Sequence, residues 1–112
     1  MKTKLGYLTT KEEKVIRAFV RELRNDLGND LLTVRIFGSK IKGDFTKYSD
    51  IDLFILIKKK NLREKISDLA AEYLFKYNVL LSPVVYSLFE YKENKRLGSF
   101  FFEKVEKEGI PL

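Results

Sequence analysis

The chain contains no cysteine and no histidine. That inventory excludes disulfide scaffolds, zinc fingers, haem attachment, cysteine nucleophiles and Ser-His-Asp triads, and leaves oxygen as the ligand for any metal. Long apolar runs are also missing. The longest, Leu53 to Ile57, falls far short of the ~20 residues that a membrane-spanning helix needs. The amino-terminal stretch from Met1 to Gly6 carries charge with no apolar segment behind it, unlike a secretory signal. A soluble, cytoplasmic protein with no membrane partner is the expectation. What is present suits one folded unit: 112 residues, 45% apolar, with nine Phe and six Tyr, can fill a single core and are too apolar for a disordered tail. We therefore expect one domain over residues 1–112. Lys and Arg total 22 against 16 Asp and Glu, a net charge of +6. A polyanion fits that balance, but so does a lysine-rich solvated surface, and charge alone does not choose between nucleic acid, a nucleotide and an acidic protein.

Thr10-Lys-Glu-Glu13 has the spacing of a capping box, and a helix from Lys11 to about Leu27 follows, with Ile16, Val20, Leu23 and Leu27 at helical intervals and Gly28 as the stop. Leu31 to Phe37 alternates as a strand, with Leu32, Val34 and Ile36 expected on one side. The basic stretch from Lys40 to Ser49 reads as a helical turn and a loop. Ile51 to Ile57 is a second strand. Asn61 then caps an amphipathic helix ending near Asn78. Val79 to Tyr86 is a third strand, and Pro83, which has no N–H to donate, assigns it to an edge or a bulge. Ser87-Leu-Phe-Glu90 caps a short helix that Gly98 ends, Ser99 caps a last helix through Glu108, and residues 110–112 trail off. The fold class is α/β (α+β): a small mixed β-sheet with helices packed on it.

Asp50 and Asp52 flank Ile51 where the second strand begins. Residues two apart share a strand face, so both carboxylates point one way while Ile51, Leu53, Ile55 and Ile57 point into the core. At roughly 6–7 Å between Cα atoms, two carboxylates can share one hard cation. Left unneutralised, they would repel each other and resist desolvation. An isolated Asp-x-Asp is also what a turn cap and a solvated strand end look like. The upstream strand changes the balance. It runs into Gly38-Ser39, a pair that lets backbone amides and a hydroxyl approach a phosphate, and Lys40 and Lys42 add charge for the same anion. A phosphate cradle at one strand's end and paired acids at its neighbour's start are the two halves of a metal–nucleotide site. Gly38 and Gly43 have the glycine spacing of a Walker loop, but Asp44 and Phe45 stand where that motif needs Lys and Ser or Thr.

Gly38-Ser39, ten residues, then Asp50-Ile51-Asp52 resembles the signature of the DNA polymerase beta-like nucleotidyltransferase superfamily. Arg35-Ile-Phe-Gly-Ser-Lys-Ile-Lys-Gly43 with Ser49-Asp-Ile-Asp-Leu53 looks like its minimal, MNT-type branch; the match is sharp over residues 32–57, and Glu108-Gly-Ile110 is an ending such short chains share. The resemblance implies the polymerase beta-like nucleotidyltransferase fold and transfer of a nucleoside monophosphate, AMP from ATP or its equivalent from another nucleoside triphosphate, to a hydroxyl with Mg2+. By position, Gly38, Ser39, Lys40 and Lys42 would hold the triphosphate, while Asp50 and Asp52 would be the catalytic acids and the metal ligands. It also implies a partner. Minimal members pair with a HEPN-type helical protein, and in the toxin–antitoxin version the MNT antitoxin adenylylates a tyrosine of the HEPN toxin. A homodimer is the other way to supply the helical domain this chain has no room for.

The family pattern places a third carboxylate on the next core strand. No Asp or Glu occurs from Tyr73 through Phe89, and Ser82 is the residue expected in the vacant place. A serine is no general base at neutral pH. The alternative is therefore a catalytically inactive nucleotidyltransferase-fold protein that binds and neutralises a partner by contact. A nucleic-acid module rests on charge alone and ranks last.

Overall fold

The computed structural model describes residues 7–38, 50–98 and 100–112. Helix α1, Thr10–Leu27, is capped by Thr9, whose hydroxyl accepts from the Glu12 amide at 3.1 Å while the Glu12 carboxylate accepts from the Thr9 amide at 2.8 Å. The capping box thus lies one residue before Thr10 and Glu13. Thr9 has the extended backbone a cap requires, Leu8 behind it is buried in the core, and Glu13 pairs instead with Arg17 at 3.2 Å. The helix buries Val15, Ile16, Phe19, Val20, Leu23 and Leu27. A 3-10 turn, Gly28–Asp30, leads into β1, Leu31–Phe37.

β1 pairs antiparallel with β2, Ile51–Ile57, and the register shifts between Leu31 and Thr33. This irregularity reverses one expectation. Leu31 turns inward and Leu32 outward, because an extra residue on one strand shifts the facing alternation. A second 3-10 turn, Lys60–Leu62, precedes α2, Arg63–Tyr77, so Asn61 is not its cap. The Leu62 amide already bonds the Lys59 carbonyl at 3.2 Å, which means the chain has turned before Asn61 could cap it. Asn78, in the left-handed region at φ 56°, closes α2 near its expected end.

β3, Leu81–Ser87, pairs parallel with β2 and lies at the sheet edge, where the missing N–H of Pro83 is tolerated. Ser87 and Glu90 form the expected capping box at the start of α3, Leu88–Arg96. The cap expected from Ser99 lies outside the described residues, as does the turn and loop expected from Lys40 to Ser49. After α4, Phe100–Glu108, the chain does not trail off: Ile110–Pro111 forms β4, paired antiparallel with Ile36 and Arg35, and the Leu112 amide bonds the Val34 carbonyl at 2.9 Å. Gly109 permits that return. A Cβ there would lie 3.2 Å from the Ile36 carbonyl and closer still to that of Val105.

The result is a mixed four-stranded sheet in the order β3-β2-β1-β4, the expected fold class. Ile51, Leu53, Ile55 and Ile57 face α1 and α2 in a largely aliphatic cluster. Phe54 and Leu56 face the other way, onto Phe102 and Val105 of α4 and the half-buried Leu88 and Tyr91 of α3. β2 is therefore covered on both faces, apart from the end where its acids sit. Among the described residues, no helix is long and apolar enough to cross a membrane.

Candidate active site

The antiparallel pairing of β1 with β2 brings the end of one strand to the start of the other, with Phe37 opposite Asp52. Gly38 follows at φ +85°, in the region that favours glycine, and packs directly on the Asp52 carboxylate. A Cβ at position 38 would overlap Oδ2 of Asp52 and stand 3.1 Å from its carboxyl carbon. Glycine here makes room for the acid.

On its other side Asp52 pairs with Ser82 of β3. The Ser82 hydroxyl donates to Oδ2 of Asp50, so the first acid, just before β2, is tied across the sheet to the edge strand. Asp50 and Asp52 are both half-buried, and their backbone neighbours Ile51 and Leu53 point into the opposite, aliphatic core. Burial, and then repulsion from Asp50, hold the Asp52 carboxyl above its ordinary pKa. Asp52, penalised by burial and by the charge of Asp50, and Asp50 beside it offer oxygen donors that fit a divalent cation, which would relieve the penalties on Asp52.

The structure therefore brings together Gly38, Asp50 and Asp52 of the expected residues and adds Ser82. Ser39, Lys40 and Lys42, the rest of the expected phosphate cradle, lie outside the described residues. Among the described residues no group of three or more acidic or other metal-ligating side chains gathers. Ser82 stands beside Asp52 in register and against Asp50 by its hydroxyl. The contact of Gly38 with Asp52 was not legible in spacing, because it depends on which residues the two strands set opposite each other.

The Nucleotidyltransferase domain family matches this chain over residues 14–111. The chain belongs to that family. Two Methanocaldococcus jannaschii proteins, each named as a candidate protein adenylyltransferase, are similar along nearly their whole length. One is 31% identical over 102 residues, covering 88% of this chain and 96% of the relative. The other is 36% identical over 101 residues, covering 90% and 97%. Among solved structures, a toxin–antitoxin complex with AMP-PNP superposes with a TM-score of 0.54 at 21% identity, over 84% of this chain and 69% of that one. A mutant MntA–HpeT toxin–antitoxin complex gives 0.53 at 22% identity, over 86% and 70%. At those identities the likeness speaks for the fold alone. Gly38, Asp50 and Asp52 all lie inside the span that the nucleotidyltransferase domain matches.

Proposed function

We propose that this nucleotidyltransferase domain is a protein adenylyltransferase that transfers AMP from ATP to a hydroxyl, and that the acceptor is a tyrosine of a HEPN-type toxin for which the chain is the antitoxin. The observation that carries the reading is the packing of Gly38 on Asp52 beside Asp50, at the meeting of two strand ends. Names carried by the relatives and by the toxin–antitoxin neighbours support the choice of a protein acceptor.

Asp50 and Asp52 would hold Mg2+, which when bound offsets their charge and polarises the phosphate oxygens. Gly38, with Ser39, Lys40 and Lys42 beyond it, would seat the β- and γ-phosphates through backbone amides, a hydroxyl and two ammonium groups. The acceptor hydroxyl oxygen would bond to the α-phosphorus as the bond from that phosphorus to the bridging oxygen breaks, with pyrophosphate leaving and the hydroxyl proton passing to solvent water. The Ser82 hydroxyl donates a hydrogen bond to Asp50, so its part is to hold that carboxylate in place and not to take the proton of the acceptor. Incubation with labelled ATP, Mg2+ and any HEPN-type helical protein that a neighbouring gene encodes tests the reading. Label is expected on a tyrosine of that protein and is lost with Asp52→Ala; no transfer under any of these conditions contradicts it.

The second reading, a catalytically inactive protein that neutralises its partner by contact, draws on Ser82 in the place of a third acid. It predicts that Asp50→Asn combined with Asp52→Asn leaves both the complex and the protection intact. Loss of protection in a complex that still forms rejects it.

A further inference from the structure

The outward face of α1 carries a row of cations. Lys11, Lys14, Arg17, Arg21 and Arg24 are all exposed, and at 3.6 residues per turn they fall within an arc of about 140° along about 20 Å of helix. By the same arithmetic Glu12, Glu13, Glu22 and Asp26 lie outside that arc. Glu12 is engaged in the cap with Thr9, Glu13 with Arg17 from the flank, and Glu22 with the Tyr73 hydroxyl at 2.8 Å. Among the described residues Lys11, Lys14 and Arg21 have no acidic partner. Two open grooves border the row, one on each flank. The first, of about 450 Å³, lies toward α2, with Lys11 and Lys14 at its rim and Val15, Ala18 and Tyr77 as its apolar lining. Lys76 adds a cation there, 5.8 Å from the centre of the Tyr77 ring. The second, of about 320 Å³, sets Arg17, Arg21 and Arg24 around Val20 and Leu112, and Arg24 donates to the Leu112 carbonyl. Every cation of the row thus borders an apolar floor.

We propose that this face of α1 docks an acidic amphipathic helix of a partner protein, laid obliquely across α1 so that its apolar residues enter the two grooves and its carboxylates meet the row. Complementary charge and apolar floors select that occupant together. Like charges three and four positions apart destabilise the helix that carries them, so an anionic partner relieves a penalty as well as adding contacts. A nucleic-acid backbone would satisfy the cations and leave the apolar floors with nothing to bury. A second copy presenting the same face would set like charges against each other. α1 covers the sheet face opposite the one that carries Asp52, so the docking surface stands apart from the transfer reading.

The test measures, by fluorescence anisotropy, binding of a synthetic helical peptide as long as α1, with Leu at i, i+3, i+4 and i+7 intervals and Glu on the flanking positions, against a scrambled peptide of the same composition. The full chain is expected to bind the amphipathic peptide about tenfold more tightly than the scrambled one, the order of one apolar side chain buried. Lys14→Glu combined with Arg21→Glu changes two exposed, unpaired side chains; it is expected to keep wild-type melting and to weaken the amphipathic peptide about tenfold. A peptide with Lys in place of Glu is expected to prefer the reversed variant to wild type. Equal binding of the amphipathic and scrambled peptides by wild-type protein overturns the proposal, because charge then suffices and the grooves are idle; this arm needs no variant to fold. Binding that survives the double reversal in a protein with wild-type melting also overturns it, as does no binding of the amphipathic peptide. A mixed-sequence RNA duplex bound more tightly than the peptide, and lost with the same reversal, overturns it in favour of nucleic acid.

Discussion

The two faces of the sheet are built from different materials. Under α1 and α2 the interior is mostly aliphatic and closed, with Ile16, Ile36, Leu53, Ile55, Ile57 and Ile66 fully buried around Phe19. Under α3 and α4 the buried set shrinks to Phe54, Leu56, Phe102 and Val105, and half-buried rings surround it. Phe102 alone meets Phe54, Tyr86, Tyr91 and Phe101. Asp50 and Asp52 emerge on this second face. The contrast teaches that one strand, β2, can anchor a core with its odd-numbered residues and present chemistry with its even-numbered ones, provided the second face is left partly open at one end.

The sharpest way to break the comparison is to empty each face in turn. Phe19→Ala and Phe102→Ala should each cost about 3–5 kcal/mol, read from urea unfolding. Their functional consequences should differ. The α1-face variant, where still folded, is expected to keep wild-type nucleotide affinity, and the α4-face variant to lose some of it, because Phe102 packs on Phe54 of β2, on the strand face that also carries Asp52. Equal losses of affinity would mean that the two faces are not functionally separate.

Ser82→Asp sharpens the comparison on the open face by adding the acid that the edge strand lacks. Three acids without a cation should melt earlier than wild type in chelator and recover with Mg2+. If proton removal is what the chain is missing, adenylyl transfer should rise by about 100-fold, the lower range for a positioned general base. An unchanged rate would assign that task elsewhere.

A smaller effect lies at the junction of the layers, where Glu90 caps α3 through Ser87 and pairs with Arg63 of α2. The Ser87 amide, then its hydroxyl and the Arg63 guanidinium, hold the Glu90 carboxyl below its ordinary 4.5 despite the opposing effect of burial. Because the folded value is depressed, its contribution is complete above 4.5 and disappears as the pH falls through the folded value. Glu90→Gln should therefore cost no more than about 1 kcal/mol at neutral pH, and the gap from wild type should close in acid. A gap that is independent of pH would show that the charge is irrelevant there.

Much of this arrangement was legible in the residues themselves. α1 follows from its 3.6-residue apolar stripe, β2 from an apolar run bounded by Asp50 and the lysines at 58–60, and the shared direction of Asp50 and Asp52 from the two-residue period. What escaped was set by contacts distant in the chain. β4 is two residues long and includes Pro111; only its pairing to Arg35 and Ile36, more than seventy positions away, makes it a strand. The irregularity that turns Leu32 outward exists only against β2. Asn61 has the composition of a cap, but a 3-10 turn takes that position first. At the site, the pair of acids could be read, and Ser82 could be guessed only from the third acid that the family pattern places on the next strand. The fit of Gly38 onto Asp52 could not, since strand register decides it.

The central claim is that Asp50 and Asp52 hold a divalent ion for a nucleotide seated at Gly38, and calorimetric titration of Mg2+ with ATP into the metal-free chain tests it most directly. The account predicts heat with wild-type protein and none with Asp50→Asn combined with Asp52→Asn, a variant that should melt no lower than wild type in chelator because it removes the buried charge and then the repulsion that raise the Asp52 pKa. Equal heats from the two proteins would contradict it.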